Sequence, residues 1–353
     1  MNTEIVTIDL GSSESFAMLE RAGDIIKNGG LVAFPTETVY GLGGDALNPN
    51  ASTKIYAAKG RPSDNPLIVH IADINDLDTI AADVPKAALK LAEHYWPGPL
   101  TMIFRKQPIV PNETTGGLDT VAVRFPSHPV AAAFIKASGG FIAAPSANLS
   151  GRPSTTTAAH VIEDLSGRID MIIDGGPCDI GLESTIVDFT AARPMILRPG
   201  FVSERMLEDV LGEVDKDPAV FGELLNDNIK PKAPGMKYRH YAPKGTLTIV
   251  SGDVDRVSEY IQRELIKSHN AGLRTGVITC SDKACSYTYA DYIGNIGDRD
   301  DEAAIAYGLY SLLRECDEQS IDVIFSEEFN TPNLGSAIMN RLIKAAGHTI
   351  IDL

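Results

Sequence analysis

Short apolar segments of strand length alternate with amphipathic helical segments along residues 13–198. Leu31–Phe34 and Leu67–Ile71 have the composition of buried strands, and Ser13–Asn28 carries apolar residues at helical spacing. The same criteria predict further strands at Leu100–Phe104, Val121–Phe125, Phe141–Ala144, Met171–Ile173, Ser184–Phe189 and Met195–Arg198, and helices at Ser52–Ala58, Lys86–His94, Val130–Ser138 and Thr157–Leu165. Strands that alternate with helices favour an α/β sheet over a β-sandwich.

A change of composition near Gly212 divides the chain. Residues 213–244 contain four prolines, and their Tyr-Arg-His-Tyr segment, residues 238–241, is more aromatic and basic than an ordinary linker. Strand and helix patterns resume at residue 246. We therefore predict a catalytic domain over residues 1–212, a linker over 213–244 that contacts the active site, and a small Rossmann-like βαβ domain over 245–353.

The charge balance argues against a basic nucleic-acid-binding module. The formal net charge is −16, from 31 Lys and Arg against 47 Asp and Glu. Residues 1–205 contain 16 basic and 23 acidic residues, and residues 206–353 contain 15 and 24, so both halves are acidic. A local basic pocket in such a chain suits a small anionic ligand better than a long duplex.

Cysteine, histidine and hydropathy patterns indicate a protein of a reducing compartment. The cysteines 178, 280, 285 and 316 form no C-x-x-C pair, and no H-E-x-x-H pattern occurs, so the sequence suggests no protein-held metal. We see no signal-peptide pattern at the start and no apolar run of the roughly 20 residues that span a bilayer. We expect a cytoplasmic protein that does not bind membranes.

Lys59 and Arg61 stand one residue apart in a constrained loop before the strand that ends near His70. A lysine offers a point charge and an arginine a planar fork, so the pair is suited to a polyphosphate or carboxylate. Asn65 follows in the same loop. The alternatives are two solvated surface charges, and a satisfied core histidine in the case of His70.

A third cation, Arg124, ends an apolar strand on which Thr120, Ala122 and Arg124 share one face. A buried arginine must be paired, because an unpaired buried charge costs several kcal/mol. The sequence leaves open whether Arg124 forms a structural ion pair or binds a ligand.

Hydroxyl and amide side chains follow further strands. They occur in Pro35-Thr36-Glu37-Thr38, which precedes the glycines 41, 43 and 44; in Ala144-Pro145-Ser146-Ala147-Asn148, with Ser154 downstream; and in Glu183-Ser184-Thr185, followed by Arg198. Each segment alone is compatible with an ordinary tight turn or helix cap. Five such clusters at strand ends, which together carry the four cations Lys59, Arg61, Arg124 and Arg198 with hydroxyls between them, indicate one shared site.

These segments resemble the YrdC-like family of threonylcarbamoyl-adenylate synthases in its longer, two-domain form. The motifs that carry the resemblance are Pro-Thr-Glu-Thr-Val-Tyr-Gly-Leu-Gly (35–43), Lys-x-Arg-Pro (59–62), Asn-Pro-Leu-Ile-Val-His (65–70), Trp-Pro-Gly-Pro-Leu-Thr (96–101), Val-Ala-Val-Arg (121–124), Ala-Pro-Ser-Ala-Asn (144–148), Glu-Ser-Thr-Ile-Val-Asp (183–188) and Leu-Arg-Pro-Gly (197–200). Pro-Gly-Met-Lys-Tyr-Arg-His-Tyr-Ala-Pro (234–243) is typical of the longer form. Ala233 stands where a serine is often expected.

The resemblance implies a twisted, open, mixed α/β sheet with a concave ligand-binding face. It also implies a reaction in which L-threonine, bicarbonate or CO2 and ATP give threonylcarbamoyl-AMP and pyrophosphate. Mg2+ would accompany ATP, and the product would pass to the machinery that modifies a tRNA adenosine. Direct binding of tRNA by this chain is expected to be weak or absent.

The resemblance also implies roles for individual residues. Lys59 and Arg61 would neutralise phosphate charge and act in catalysis. The ATP-binding residues would be Lys59, Arg61, Asn65, Thr120, Ser146, Asn148, Ser154, Arg198 and, as a lid, Tyr238. The residues around L-threonine would be Thr36, Thr38, His70, Arg124, Ala144 and Ser184, with Arg124 facing the carboxylate.

Two other functions compete with this interpretation. An RNA-binding module could use the same cations, although the acidic balance of both halves disfavours it. A carbamoyl transferase that uses carbamoyl phosphate occurs in related domains of hydrogenase-maturation proteins. Those proteins also carry zinc-finger cysteines and an acyl-phosphatase region, and neither is visible here.

Overall fold

The computed structural model describes residues 2–218, 231–234, 236 and 240–353. It forms two compact units. The first consists of residues 1–150 and 154–237, and the second of residues 151–153 and 238–353. The short segment 151–153 thus belongs with the C-terminal residues, although it lies far from them in the sequence.

The first unit is built on a mixed sheet, which contains twelve strands among the described residues. The strands are β1 (Glu4–Thr7), β2 (Val32–Phe34), β3 (Gly41–Asp45), β4 (Ile68–His70), β5 (Ala81–Ala82), β6 (Leu100–Lys106), β7 (Thr120–Arg124), β8 (Ile142–Ala144), β9 (Met171–Asp174), β10 (Thr185–Asp188), β11 (Met195–Arg198) and β12 (Asp215–Lys216). Their order is β1-β9-β2-β3-β8-β4-β7-β6-β10-β11-β12, and β5 pairs with β6. The predicted α/β architecture is confirmed.

Helices cover both faces of this sheet. They are α1 (Ser13–Lys27), α2 (Pro49–Lys59), α3 (Leu77–Ile80), α4 (Lys86–Tyr95), α5 (Pro129–Ala137), α6 (Ala158–Leu165) and α7 (Glu204–Leu211), with a 3-10 turn at Ile74–Asp76. The helices α2, α4, α6 and α7 contribute to one large apolar core, and α1 and α5 to a second core on strands β1, β2, β8 and β9. A third and smaller cluster lies on β4, β6, β7, β10 and β11 without a helix.

Strand β3 was not predicted from the sequence, because the segment that leads to its glycines is compatible with an ordinary tight turn or helix cap. It pairs antiparallel with both β2 and β8. A Cβ atom on Gly43 would lie 2.9 Å from Ile142 Cγ2, so this strand needs glycine for close packing against its neighbours. Glycine has low strand propensity, which hides such a strand from composition-based prediction.

The second unit is a five-stranded parallel sheet, as far as its described residues show. Its strands are β13 (Thr246–Ser251), β14 (Thr275–Thr279), β15 (Tyr292–Asn295), β16 (Val323–Glu327) and β17 (Ile350–Asp352), in the order β15-β14-β16-β13-β17. Its helices are α8 (Val254–Asn270), α9 (Glu302–Glu318) and α10 (Gly335–Ala345), with a 3-10 turn at Ala284–Ser286. The predicted βαβ arrangement is confirmed. The two edge strands, β15 and β17, were not predicted, because most of their residues are half-exposed or exposed and give no apolar run.

None of the helices in the described ranges combines the length and the apolar character needed to cross a lipid bilayer.

We predict that Gly23→Ala destabilises the first unit. A Cβ atom at position 23 of α1 would lie 2.4 Å from the carbonyl oxygen of Ala137 in α5, so the two helices must separate. Overpacking of this kind costs about 1–3 kcal/mol, which exceeds the gain in helix propensity. Thermal unfolding followed by circular dichroism measures the effect.

The control is Gly308→Ala in α9, where the nearest atom to a new Cβ is 3.6 Å away. This variant gains helix propensity without a clash, so its unfolding temperature should be unchanged or raised. A fall of similar size in both variants would contradict the packing argument.

Candidate active site

Three loops at the strand ends are joined by backbone hydrogen bonds. They span residues 35–40, 145–156 and 178–184. Tyr40 N donates to Thr155 O at 2.8 Å, and Ala147 N donates to Tyr40 O at 2.8 Å. Gly181 N donates to Thr38 O at 3.1 Å. These bonds bring together loops that are far apart in the sequence and hold their side chains in a fixed arrangement.

Thr36 organises the first of these loops. Its hydroxyl donates to Val39 O at 2.6 Å and lies 2.9 Å from Thr38 Oγ1, and both threonines are buried. The backbone N–H groups of Thr38 and Val39 donate to Thr36 Oγ1. Thr36 therefore positions the hydroxyl of Thr38, and the expected contact of both residues with L-threonine stays a prediction.

Arg124 forms a buried ion pair with Glu37. Its Nη2 lies 2.8 Å from Glu37 Oε1, and both side chains are almost completely buried. Arg124 Nε and Nη2 and both Glu37 oxygens make no hydrogen bond of good geometry among the described residues, so the arginine retains hydrogen-bonding capacity. The sequence analysis required a partner for Arg124 but did not assign Glu37, which comes from a loop 87 positions earlier in the chain.

His70 lies beside Arg124, because β4 and β7 pair in parallel with these two residues in register. Burial, together with the positive charge of Arg124, lowers the pKa of His70 to about 3. His70 Nδ1 lies 3.1 Å from Ile68 O, and the ring makes an edge contact with Phe34. The predicted shared face of His70 and Ile68 agrees with the structure, and the imidazole is neutral at physiological pH.

A hydroxyl cluster connects β6, β10 and β11. Ser184 Oγ lies 2.7 Å from Thr101 Oγ1 and accepts from Arg198 Nη2 at 3.2 Å. Arg198 Nε donates to Ser184 O at 3.1 Å, and all three residues are buried. Thr101 belongs to the resembling motifs but was not assigned a role; only the pairing of β6 with β10 reveals its position.

A β-bulge aims Arg198 at this cluster. Simple alternation along β11 places Arg198 on the same face as Ile196, which packs in the large core. The register between β10 and β11 shifts, so that Val187 opposes Ile196 while Ile186 opposes Arg198. The extra residue turns Arg198 to the face of Ile186, and bulges commonly redirect side chains beside active sites in this way.

The strand registers align these groups in one row. Ile142 opposes His70, His70 opposes Arg124, and Arg124 opposes Thr101. Thr101 opposes Ile186, which in turn opposes Arg198. Since neighbouring strands are about 4.8 Å apart, the row places Arg124 and Arg198 roughly 14 Å from each other on one face of the sheet.

Lys59 lies at the C-terminal end of α2, and its ammonium group donates to the carbonyl oxygens of Ser146 and Asn148. Ser146 Oγ donates to Asn148 Oδ1. The structure thus brings together three of the predicted nucleotide-binding residues. Gly60 follows in the left-handed conformation, with φ of 63°, which ends the helix and directs the chain toward Arg61.

Arg61 and Asn65 shape the loop before β4. Arg61 Nη2 donates to Pro66 O at 3.2 Å, so the guanidinium group braces the loop. Asn65 is buried, and its Oδ1 has no hydrogen-bond partner in the described parts of the chain. An acceptor that is buried without a partner carries a cost, which a ligand that donates to it would relieve.

The remaining predicted residues lie on or beside the same face. Thr120 begins β7, about 13 Å along the strand from Arg124, and Ala144 ends β8 opposite Ile68. Ser154 is buried and donates to Glu183 Oε1 at 2.5 Å. Glu183 was not among the predicted site residues. Tyr238 lies outside the described residues.

Residues 233, 234 and 236 of the first unit contact this face. Ala233 and Met236 pack in the small apolar cluster with Ile68 and Ala122. Arg198 Nη1 donates to Pro234 O at 3.5 Å. The predicted linker therefore contacts candidate site residues through those of its members that the structure describes.

No group of three or more histidine, cysteine, aspartate or glutamate residues that could hold a metal ion occurs in the described ranges. Near the row of polar groups, Glu37 is paired with Arg124 and Glu183 accepts from Ser154. These carboxylates are engaged by protein groups, so a divalent ion in this site would depend mainly on oxygen atoms of a substrate.

Comparison with known proteins identifies the family. Residues 24–200 match the Sua5/YciO/YrdC family model, described as telomere recombination, and residues 202–347 match the model described as threonylcarbamoyl-AMP synthase, C-terminal domain. The chain belongs to this family. The matches to both models place it among the family's two-domain members.

Full-length relatives agree with this assignment. The chain is 48% identical to the threonylcarbamoyl-AMP synthase of Pyrococcus abyssi over 332 residues, which cover 94% of this chain and 95% of the relative. It is 46% identical to the Bacillus subtilis synthase, with coverage of 98% and 97%. The crystal structure of P. abyssi Sua5 complexed with L-threonine superposes with a TM-score of 0.93 at 46% identity, covering 99% and 100% of the two chains. The Escherichia coli YciO structure matches 57% of this chain and 96% of its own, with a TM-score of 0.51 at 26% identity.

We predict that the Arg124–Glu37 pair dominates the stability of the site. Removing one partner leaves a buried charge without compensation, so Arg124→Ala and Glu37→Ala should each lower the free energy of unfolding by about 3–5 kcal/mol. The double variant should lose less than the sum, because it buries no unpaired charge. Urea unfolding of the four proteins measures the coupling.

An exposed ion pair with a similar nitrogen–oxygen distance serves as the control. Arg21 Nη2 lies 2.7 Å from Glu4 Oε2, with 65% of the arginine side chain exposed. Arg21→Ala should change the free energy of unfolding by about 0–1 kcal/mol. Additive effects of the two site substitutions would contradict the ion-pair interpretation.

The low pKa of His70 predicts a specific acid sensitivity. Between its ordinary pKa of 6.5 and about 3, the imidazole is protonated in the unfolded chain but neutral in the folded protein. Protonation therefore favours unfolding, and this contribution to stability falls by up to about 1.4 kcal/mol per pH unit as the pH decreases through that range. His70→Asn should reduce the slope of unfolding free energy against pH between pH 6.5 and 4. Equal slopes in wild type and His70→Asn would refute the assignment.

Proposed function

We propose that the protein is a threonylcarbamoyl-AMP synthase, which condenses L-threonine, bicarbonate or CO2 and ATP into threonylcarbamoyl-AMP and pyrophosphate. The observation that carries the proposal is the row from His70 through Arg124 and Thr101 to Arg198, with the Lys59 and Arg61 loop leading into β4. The face thus presents cations to several parts of a substrate that is anionic at both its carboxylate and its phosphates. Full-length relatives with this name support the reaction.

The carboxylate of L-threonine would bind at Arg124. The Nε donor of this arginine has no hydrogen-bond partner among the described residues, so a carboxylate could accept from it, while Nη2 lies 2.8 Å from Glu37 Oε1 in the ion pair. The nearby hydroxyl of Thr38 is fixed by Thr36, and His70 offers a neutral neighbour that does not compete for the carboxylate. Ala144 and Ser184 complete the proposed set of L-threonine-binding residues.

ATP would bind along the loops that carry Lys59, Arg61 and Asn65. The carbonyl acceptors around the Lys59 ammonium group leave its positive charge intact, so it still attracts phosphate oxygens. The adjacent Ser146 and Asn148 would contact the nucleotide, and Arg198 would contribute a third cation. Thr120, Ser154 and Tyr238 are the further proposed members of this set.

The proposed chemistry requires no protein nucleophile. The amine of L-threonine forms a carbamate with CO2 and releases a proton; a carbamate oxygen then bonds to the α-phosphorus of ATP as the bond to the leaving pyrophosphate breaks. The residues of this site would align the two reactants and offset phosphate charge. Mg2+ would enter as part of the MgATP substrate, coordinated mainly by phosphate oxygens and water.

The cellular role is a finer part of the proposal. The mixed anhydride in threonylcarbamoyl-AMP is an activated acyl group, so we propose that a tRNA-modifying transferase consumes it in the cytoplasm. The acidic net charge of −16 supports a role for this chain in the synthesis of threonylcarbamoyl-AMP rather than in the binding of tRNA phosphates.

The decisive experiment measures pyrophosphate release from MgATP with L-threonine and bicarbonate each present or omitted. The proposal expects release that depends on both substrates, with threonylcarbamoyl-AMP detected by mass spectrometry. Pyrophosphate release that depends on neither L-threonine nor bicarbonate, or no release under any condition, would overturn the proposal. Salt-dependent tRNA binding without ATP would then favour the RNA-binding alternative, and turnover of carbamoyl phosphate would favour the carbamoyl transferase.

We predict that Lys59→Ala abolishes pyrophosphate release while the protein remains folded. Loss of a buried cation beside the phosphates should lower the rate by about 100-fold or more. The control is Lys54→Ala on the same helix, since the Lys54 ammonium group donates only to Gly29 O among the described residues. Wild-type turnover by Lys59→Ala would remove the role assigned to Lys59.

A further inference from the structure

The parallel sheet of the second unit has a topological switch point between β13 and β16. The connection from β13 through α8 to β14 crosses β16 in one direction, and that from β16 through α10 to β17 crosses β13 in the other. Right-handed crossovers therefore place α8 and α10 on opposite faces. The loops after β13 and β16 separate at their carboxyl ends, which is where ligands bind in open α/β sheets.

A cavity of about 210 Å3 occupies this position. Its apolar wall is formed by Val250, Val254 and Val257 from the β13–α8 connection and by Phe329 from the loop after β16. The remaining lining includes Arg299, Glu327 and Glu328. Sites for drug-sized ligands measure about 300–1,000 Å3, so this cavity suits a ligand smaller than a drug-sized molecule.

Glu327 is saturated by protein donors. It is buried, and it accepts hydrogen bonds from Thr279 Oγ1, from Tyr287 OH at 2.9 Å and from Arg299 Nη2 at 2.6 Å. Arg299 is also held by Asp282 through Nε and Nη2. Because these contacts fix the guanidinium plane, the role of Glu327 is to orient Arg299 rather than to bind a ligand itself.

Two charged groups at this cavity retain unused hydrogen-bonding capacity. Arg299 Nη1 makes no hydrogen bond among the described residues, since the contacts of this side chain involve Nε and Nη2. The carboxylate of Glu328 makes neither a hydrogen bond nor an ion pair with any described residue. A donor and an acceptor of opposite charge thus line one cavity, together with the apolar side chains of the valines and Phe329.

This combination defines the ligand. Phosphates are disfavoured, because two carboxylates, Glu327 and Glu328, line the cavity against one cation, Arg299. The segment that starts at the last residue of β13 reads Ser-Gly-Asp-Val, residues 251–254, which is not a glycine-rich phosphate loop. A small zwitterion satisfies both groups: its carboxylate would accept from Arg299, its ammonium group would donate to Glu328, and an apolar side chain would contact the valines and Phe329. We propose that this cavity binds a free amino acid with a small apolar side chain. This site is separate from the proposed catalytic face, by which we mean the row from His70 through Arg124 and Thr101 to Arg198.

The first test is isothermal titration calorimetry of the full-length protein with L-valine and L-leucine as probes. Two analogues of L-valine separate the charged ends: 3-methylbutanoate lacks the amine, and 2-methylpropan-1-amine lacks the carboxylate. The proposal expects saturable binding of at least one amino acid and binding about tenfold or more weaker for both analogues, since a hydrogen bond to a charged group is worth at least this factor. Absence of binding by both amino acids, or equal binding of the analogues, would overturn it.

Variants assign the binding to this cavity. Glu328→Gln should weaken binding about tenfold or more, and Val254→Phe should obstruct the half-buried rim of the cavity without entering the core. Glu259→Gln, an exposed carboxylate change on α8, should bind like wild type. Binding that persists unchanged in both cavity variants would place the probe elsewhere and refute the proposal.

Pyrophosphate release measured on the same variants separates the two proposals. Glu328→Gln and Val254→Phe should retain the basal rate, because neither residue belongs to the catalytic face. A cavity variant that loses amino-acid binding but retains the basal rate of pyrophosphate release supports a separate site. Loss of the basal rate in Glu328→Gln with an unchanged unfolding temperature would contradict that separation.

Discussion

The buried ion pair between Arg124 and Glu37 is the constraint on which the catalytic face depends. Arg124 ends β7 in the middle of the sheet, where an unpaired guanidinium group would cost several kcal/mol. Glu37 supplies the countercharge from the loop between β2 and β3, so that loop must fold over the end of β7. The position of Thr38 follows from the same placement, whereas His70 is neutral mainly because it is buried and secondly because Arg124 lies beside it.

The strand registers convert local sequence motifs into one site. His70, Arg124 and Thr101 come from segments separated by up to 54 positions, yet they oppose one another across β4, β7 and β6. Because a shift of one residue would turn each side chain to the opposite face, the apolar residues between them also specify the site. Val69 and Val123 fill the large core, which holds their polar neighbours on the other face.

Much of this arrangement could be predicted from the sequence pattern within single strands. The rest could not, because it depends on contacts between strands. The alternation of side chains between the two faces of a strand correctly placed Thr120, Ala122 and Arg124 on one face, because β7 is a regular strand. It fails for Arg198, since the bulge between β10 and β11 is a two-strand property that no single segment reveals. Glu37 could be inferred only as an unnamed partner of Arg124, and the glycines of β3 act through packing that sequence periodicity does not record.

The composition of the catalytic face also explains the class of reaction that it suits. A neutral His70 at physiological pH, an arginine already paired with a carboxylate and a lysine held by carbonyl oxygens do not resemble a nucleophile with its activating base. They are fixed dipoles and charges whose orientation is set before a ligand arrives. Such a site lowers a barrier by aligning reactants and stabilising charge that develops on phosphate, because it need not reorganise during the reaction. Transfer of a nucleotidyl group between two oxygen atoms is a reaction for which these contributions suffice.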